Sequence, residues 1–298
     1  MDFLTLKNKI ENYKSNYSVK VIGYSHFNRE IFAVERVLNP RVSTAILVAG
    51  THAREHITTD LLCKMLDENL FDEISDFNVS FILMANPDGV ELSCNGLTSA
   101  PKKYRKKLLQ INGESCDFSM WKANGIGVDL NNNFDAGFGE NKHADEPAPQ
   151  GYPGKFAESE PETKAIVNYI KNSNAFLVLT YHSKGEEIYF NFFQSNELLN
   201  RDSLIAENFS KSTGYAIKNV ENSSSGGLKD FCVQKLKIPS LTIEVGNDNL
   251  SHPISKEFLP EIFERHKNVA KDCIFAYNVF NKTRGADDVS RKIHEDGN

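Results

Sequence analysis

The chain alternates between short apolar runs and longer segments in which apolar residues recur every three or four positions. The short runs predict strands, which we place at Val19–Tyr24, Ile31–Val37, Thr44–Ala49, Val79–Ala85, Phe176–Tyr181 and Ser240–Val245. The longer segments predict helices, which we place at Phe3–Tyr13, Thr59–Phe71, Pro161–Asn172, Ser203–Thr213, Leu228–Lys235 and Lys256–Asn278. Strands that alternate with helices in this way predict an α/β fold, in which helices cover both faces of a mostly parallel or mixed sheet.

Nothing in the sequence divides the chain into separate domains. Its 298 residues contain no internal repeat and no linker rich in proline, glycine and serine, which predicts a single domain over residues 1–298. A short amphipathic helix is predicted within residues 1–15, and the segment from about residue 281 to 298 is expected to be peripheral.

Composition and charge narrow the classes of partner. A net charge of −6 argues against nucleic acid as the main partner, since phosphate binding needs a basic surface. The longest apolar runs, such as Val79–Ala85, are too short to span a bilayer, and the N-terminus lacks the apolar core of a signal peptide. The five cysteines are widely spaced without a CxxC motif, which favours structural thiols over a zinc–thiolate site. We therefore expect a cytoplasmic protein that binds neither membranes nor nucleic acid.

Histidines and acidic residues follow three of the predicted strands. GTHARE (50–55) follows the strand Thr44–Ala49, YHSKGE (181–186) ends and follows Phe176–Tyr181, and EVGNDN (244–249) ends and follows Ser240–Val245. In open α/β sheets, ligands bind beyond the carboxyl ends of the strands. We therefore expect these three segments to meet at one edge of the sheet.

The segment HAREH (52–56) can bind a metal in two incompatible ways. In the first, His52 and His56 are ligands one helical turn apart and Glu55 is a catalytic base. That arrangement needs an uninterrupted helix through the motif. Gly50 and Thr51 directly follow a predicted strand, and helical periodicity begins only later, which argues against it.

In the second, His52 and Glu55 are ligands presented by a strand-to-helix loop, and His182 is the third. Two nitrogens and one carboxylate leave a fourth position open, the pattern of catalytic zinc. A separate base is then needed, and Glu244 ends an apolar strand, where burying a carboxylate is costly. Ordinary hydrogen-bonded or ion-paired roles are expected for the remaining candidates, His56, Asp60 and His252.

Six motifs occur in the order and spacing of the carboxypeptidase A type zinc peptidases, which the chain resembles from about Val19 to about Ala276. They are GTHARE, NPDGVEL, GVDLNNNFDAGFG, YHSKGE, SSGGLKDF and TIEVG. The resemblance implies a zinc metallopeptidase with one Zn²⁺ per chain, bound by His52, Glu55 and His182. It also implies that Glu244 is the general base, and that the fold is one mixed, twisted sheet of about eight strands between helices.

The chain departs from the family pattern where relatives usually read NxRGVDLNRNF. By resemblance, Ile126 stands in place of the arginine that polarises the scissile carbonyl, and Asn132 in place of the arginine that binds the terminal carboxylate. The neighbouring Asn131 is kept, whereas the tyrosine that closes over the substrate is absent and Asn222 stands near its place. An amide cannot reproduce the charged, bidentate fork of arginine, so we expect weak recognition of an ordinary C-terminal carboxylate.

Longer segments resemble bacterial γ-D-glutamyl-meso-diaminopimelate peptidases more than digestive or regulatory carboxypeptidases. They are WKANGIGVDLNNNF, YHSKGEEIYF and GGLKDFCVQKLKIPSLTIEVG. The implied substrate is a small peptide or muropeptide, with Arg54, Asn131 and Asn132 as the candidate contacts. Three alternatives stay open: a zinc carboxypeptidase of other specificity, a zinc enzyme that deacylates a small amide, and a ligand-binding homologue with impaired catalysis. The sequence predicts neither the oligomeric state nor the role of the loop 139–151.

Overall fold

A computed structural model describes residues 1–140, 143–218 and 225–295. Within these ranges the strands are β1 Ser18–Tyr24, β2 Glu30–Arg36, β3 Thr44–Val48, β4 Asn78–Ile82, β5 Ala175–His182, β6 Glu187–Tyr189, β7 Ala216–Ile217 and β8 Ser240–Glu244. They form one eight-stranded sheet in the order β1-β2-β4-β3-β5-β8-β6-β7. β3 pairs in parallel with β4 and β5, and β5 with β8, whereas β1, β2 and β4 pair antiparallel. The expected mixed sheet is confirmed.

Helices cover both faces of this sheet, also as expected. In the described ranges they are α1 Phe3–Tyr13, α2 Ile57–Asp67, α3 Pro87–Asn95, α4 Lys102–Ile111, α5 Pro161–Lys171, α6 Asn196–Thr213, α7 Leu228–Phe231, α8 Leu259–His266 and α9 Val269–Glu295. Short 3₁₀ turns precede α2 at Ala53–Glu55 and α8 at Lys256–Phe258, and a π-helical turn, Cys232–Leu236, continues α7. No helix in the described part of the chain has the length and apolarity needed to cross a bilayer.

The alternation of side chains along a buried strand explains the two layers of helices. On β3, Leu47 packs in the larger apolar cluster with residues of α1, α2, α6, α8 and α9, whereas Ile46 and Val48 pack in a second cluster with residues of α5 and α7. Successive side chains of a strand point to opposite faces of the sheet, and all five β3 residues are buried. A strand that is buried on both faces is nearly all apolar in sequence, which is why the segment TAILV predicts the strand β3.

The order of the strands places a crevice between β3 and β5. From β3, the next strand in sequence, β4, lies on one side, and β5 lies on the other. Such a reversal of strand order opens a cleft at the carboxyl ends of the strands. The loop after β3 and the end of β5 meet there.

Several predicted boundaries are wrong, and some elements were not predicted. α2 begins at Ile57 rather than Thr59, and α6 begins at Asn196 rather than Ser203. The single helix expected at Lys256–Asn278 is split into a 3₁₀ turn, α8 and α9. α9 runs to Glu295, and the expectation that the segment from about residue 281 is peripheral stays a prediction. Asn222 lies outside the described residues, as do residues 141 and 142 of the loop 139–151.

One buried amide joins three segments around the crevice. The Nδ2 of Asn86 donates to the backbone carbonyls of Thr51 and Ala123, at 3.1 Å each, and its Oδ1 caps α3 by accepting from the Gly89 N–H at 3.0 Å. Its side chain is fully buried. Asn86 therefore fixes the loop that follows β3 against the start of α3.

We expect Asn86→Ala to lower the free energy of unfolding by roughly 2–4 kcal/mol, because it leaves buried carbonyls and one N–H without partners. Urea unfolding monitored by circular dichroism measures the change. Asn200→Ala, an exposed position in α6, is the control and should change stability by less than about 0.5 kcal/mol. Equal effects of the two substitutions would contradict this role of Asn86.

Candidate metal centre

The loop after β3 presents His52 and Glu55 without a helix through both. Gly50 adopts a left-handed conformation with φ +65°, and a Cβ there would lie 3.0 Å from Thr59 Oγ1 and 3.2 Å from Met84 Cα. This turn ends the strand abruptly. His52 is extended, with φ −93° and ψ 132°, and only the 3₁₀ turn Ala53–Glu55 separates it from α2. The helical arrangement of the HxxEH alternative is therefore not formed.

Three donor groups converge at this point. The Nδ1 of His52 lies 2.9 Å from Glu55 Oε1, and the Nδ1 of His182 lies 3.1 Å from Glu55 Oε2. The two Nδ1 atoms are 3.0 Å apart, and all three side chains are buried. One donor atom from each residue lies within 4.8 Å of the others, a spacing that a single metal ion could occupy.

The donor set fits zinc. Two imidazole nitrogens facing each other at 3.0 Å cannot both carry a proton, and a cation between them satisfies both lone pairs. Two nitrogens and one carboxylate form a typical catalytic zinc set. The Ser183 N–H also donates to Glu55 Oε2 at 3.2 Å, which fixes the orientation of the carboxylate.

Electrostatics keep Glu55 ionised. Burial acts to raise the pKa of Glu55, but the neighbouring His52 and His182 outweigh it and hold the pKa well below its usual range. Burial likewise acts to lower the pKa of His52, and the charges of Glu55 and Asp129 outweigh it and raise that pKa. The centre is therefore built around a buried negative charge.

Asp129 and Lys122 support this centre and were missed as site residues in the sequence analysis. Asp129 Oδ1 lies 3.3 Å from His52 Nε2, on the side of the ring opposite Nδ1, and its Oδ2 accepts from the Gly151 N–H at 3.0 Å. Lys122 Nζ lies 3.3 Å from Asp129 Oδ2. Although burial acts to raise it, the charges of Lys122 and His52 hold the pKa of Asp129 well below its usual range. Asp129 lies in the GVDLN motif, which is the feature of the sequence from which its role could have been predicted.

Glu244 stands beside the centre at the end of β8. The register pairs it with His182 on β5 and with Glu187 on β6. Burial raises the pKa of Glu244 to about 8; His182 acts to lower it and Glu55 to raise it. A carboxyl with a raised pKa binds a proton more strongly than an ordinary glutamate does.

The three residues predicted to contact substrate lie on two loops at the crevice. Arg54 is half-buried, and one of its terminal nitrogens donates to Met120 O and Gln150 Oε1, at 3.3 Å each. Asn131 and Asn132 belong to the 3₁₀ turn Leu130–Asn132, which Asp129 caps. This turn is thus tied to the candidate metal centre through Asp129, whereas Arg54 follows His52 by two positions.

The backbone of Asn132 leaves no room for a side chain at position 226, the first of the adjacent glycines Gly226 and Gly227. A Cβ on Gly226 would lie 2.8 Å from the backbone oxygen of Asn132, and Gly226 adopts φ +83°. Asn131 Oδ1 accepts from the Leu228 N–H at 3.3 Å, just after the pair. The two segments therefore pack backbone to backbone.

Ile126 lines a cavity of about 190 Å³ together with His26, Tyr104 and Leu108. None of the three converging donors lines this cavity. Lys122 is a half-buried cation beside Asp129, and its pKa is raised because Asp129 and Glu55 outweigh the effect of burial.

His56 and Asp60 have the ordinary roles expected of them. The amino group of Met1 lies 2.8 Å from Asp60 Oδ2 and 3.3 Å from His56 Nδ1, and Lys256 Nζ lies 3.0 Å from Asp60 Oδ1. These contacts occupy the start of α2, and His56 is not among the three converging donors.

Comparisons with known proteins agree with this geometry. Residues 5–268 match the sequence profile of zinc carboxypeptidases. The gamma-D-glutamyl-L-diamino acid endopeptidase 1 of Lysinibacillus sphaericus is 33% identical over 224 residues, which are 70% of this chain and 56% of that protein. The chain spans between 48% and 65% of the length of three curated relatives that it matches.

Solved structures share the fold at low sequence identity. Bovine thrombin-activatable fibrinolysis inhibitor, in complex with tick carboxypeptidase inhibitor, has a TM-score of 0.75 at 18% identity and covers 95% of this chain and 98% of its own. The murein-tripeptide amidase of Escherichia coli O157 has a TM-score of 0.54 at 18% identity. The match covers 90% of this chain and 92% of the amidase.

We expect Asp129→Asn to weaken zinc binding by about 10–100-fold, because the carboxylate that orients the His52 ring is lost while its shape is kept. Competition with a chromophoric chelator measures the affinity. Asp135→Asn, an exposed acidic residue nearby, is the matched control and should leave affinity unchanged. Unchanged affinity in the Asp129 variant would contradict its supporting role.

Proposed function

Because the chain belongs to the zinc carboxypeptidase family, we propose that it is a zinc metallopeptidase whose metal is held by His52, Glu55 and His182. The observation that carries this proposal is the convergence of these three buried donors, with Glu244 one strand away. An ordinary structural role would not bring two imidazoles and a carboxylate from distant segments to one point.

Zinc in this position would supply a Lewis acid that polarises the scissile carbonyl and lowers the pKa of a water molecule. Glu244 takes the proton from the attacking water and returns it to the leaving amine. Asp129 holds the His52 ring in orientation. Lys122 adds positive charge beside the developing oxyanion, a role that the uncharged Ile126 cannot have.

The proposed substrate is a muropeptide, cleaved at the γ-D-glutamyl–meso-diaminopimelate bond. Two observations support this. A relative with 33% identity is a gamma-D-glutamyl-L-diamino acid endopeptidase, and a murein-tripeptide amidase shares the fold. In addition, Asn132 provides an amide where an arginine fork would bind an ordinary C-terminal carboxylate. Arg54, Asn131 and Asn132 are the proposed contacts to the polar groups of diaminopimelate.

A cytoplasmic location would suit this substrate. The enzyme would then act on imported muropeptides or during sporulation, and not on the intact wall. A catalytically impaired binder is the less favoured function, because a binder has no need of Glu244 and because Lys122 supplies the cation that Ile126 lacks.

We expect His182→Ala to lose one zinc equivalent per chain and all measurable hydrolysis, since two of the three donors then remain. Zinc is quantified by inductively coupled plasma mass spectrometry after dialysis. His56→Ala is the control and should retain its zinc. Loss of zinc in the His56 variant, with retention in the His182 variant, would favour the helical HxxEH arrangement instead.

Glu244→Gln keeps the shape of the side chain but removes the proton acceptor. We expect zinc content to be unchanged and kcat to fall by at least ~100-fold. Steady-state kinetics and metal analysis on the same preparation measure both. A kcat within a few fold of the unsubstituted protein would mean that Glu244 is structural.

The substrate is tested by comparing L-Ala-γ-D-Glu-meso-diaminopimelate with a hippuryl-type carboxypeptidase substrate. We expect the muropeptide to be cleaved with the higher kcat/KM, because the site has no arginine at position 132. The zinc-loaded Glu244→Gln variant is the control for background hydrolysis. Faster cleavage of the hippuryl substrate would overturn the proposed specificity, and cleavage of neither would favour the impaired binder.

A further inference from the structure

A second group of potential metal ligands lies away from the proposed zinc centre. It consists of His26, which follows β1, and Glu160 and Glu162, at the start of α5. One donor atom from each lies within 4.8 Å of the others. His26 Nε2 is 2.7 Å from Glu160 Oε2, and the His26 backbone N–H donates to Glu162 Oε1 at 3.3 Å. The side chains of both glutamates are buried.

The charges in this group do not balance. Arg29 is ion-paired with the nearby Asp88 at 2.6 Å, so its charge is already matched. Among the described residues, Glu160 has His26 as its ion-pair partner, and Glu162 accepts only the His26 backbone N–H. Burying two carboxylates against one imidazole is costly, whereas a divalent cation would supply the missing positive charge.

One oxygen in the group has no partner. Oε2 of Glu162 is buried and accepts no hydrogen bond from any described residue, and the Glu162 side chain is 0% exposed. Burial raises the pKa of Glu162 to about 7, with the charges of Asp88 and Glu160 adding to it and that of His26 opposing it. An unpartnered, fully buried carboxylate oxygen beside two other donors is the arrangement that a metal ion satisfies.

Neighbouring side chains fix the orientation of the Glu160 carboxylate. Ser159 Oγ donates to Glu160 Oε1 at 2.7 Å, and Asn124 Nδ2 donates to Glu160 Oε2 at 2.8 Å. His26 lines the cavity of about 190 Å³ that Ile126 also lines, so one member of the group borders this cavity.

We propose that His26, Glu160 and Glu162 form a second site for a divalent first-row metal ion, distinct from the catalytic one. One imidazole and two carboxylates are nitrogen and oxygen donors that suit Zn²⁺ or Mn²⁺. Ligand atoms around zinc are about 3–3.6 Å apart, which this group reaches with small side-chain movements.

An ion at this site would stabilise the segment of chain that supports the proposed zinc centre. Asn124 donates a hydrogen bond to Glu160. Its Oδ1 also accepts hydrogen bonds from the backbone N–H groups of Ile126, at 3.1 Å, and Val128, at 2.9 Å. This segment lies between Lys122 and Asp129, the two residues that support His52. A metal ion at His26 therefore stabilises the loop that carries both.

Zinc stoichiometry in four proteins tests the proposal. The full chain, His182→Ala, Glu162→Gln and the double variant are saturated with zinc, dialysed against metal-free buffer and analysed by mass spectrometry. We expect two equivalents of zinc per chain in the full chain, one in each single variant and none in the double variant. Glu158→Gln, a neighbouring carboxylate outside the group, is the matched control and should retain two. His26→Gln should also retain one, and it replaces the Glu162 variant if that protein does not fold.

The result separates this site from the catalytic assignment. If zinc is held at the second site and none is bound by His52, Glu55 and His182, the same four proteins would contain one, one, zero and zero equivalents. One equivalent in the full chain and none in His182→Ala would overturn the second site, and would mean that Glu162 holds a proton instead. Two equivalents in Glu162→Gln and in His26→Gln would also overturn it.

A second measurement has a different readout. Zinc should raise the Tm of His182→Ala, in which the proposed second site is intact, but should leave the Tm of the double variant unchanged. Equal shifts in the two proteins would contradict binding at Glu162.

Discussion

The buried carboxylate of Glu55 sits between two imidazoles, and the arrangement of the crevice depends on it. Its oxygens lie 2.9 and 3.1 Å from the Nδ1 atoms of His52 and His182, and the Ser183 N–H fixes one of them. A negative charge this deeply buried is stable only if positive charge or a cation is held against it. The loop after β3 and the end of β5 must therefore keep their relative positions. Asn86 and Asp129 are side chains that hold that loop in place.

The sheet topology explains why these residues meet, and much of it was predictable. The continuous apolar runs of β3, β5 and β8 are visible in the sequence because both faces of these strands are covered. The rule that sites lie beyond the carboxyl ends of strands then brings His52, His182 and Glu244 together. The resemblance to the zinc carboxypeptidase family is confirmed by a match over residues 5–268.

What the sequence did not predict depends on contacts between distant segments. The short strands β6 and β7, of three and two residues, carry too few residues for a periodic pattern. Lys122 and Ile126 lie on the same irregular segment, where no periodic pattern indicates the direction of a side chain. In the fold, Lys122 lies beside Asp129, whereas Ile126 lines a cavity with His26. Likewise, His26 and Glu162 are 136 positions apart and come together only in the fold.

The most direct test of the account is the position of the metal itself. Anomalous diffraction from zinc-loaded crystals, recorded above and below the zinc absorption edge, locates each ion independently of any activity. The account predicts a peak about 2.0–2.2 Å from His52 Nδ1, His182 Nδ1 and an oxygen of Glu55, with the Glu244 carboxyl nearby but not coordinating. A peak bound by His56, or no peak between His52 and His182, would contradict it.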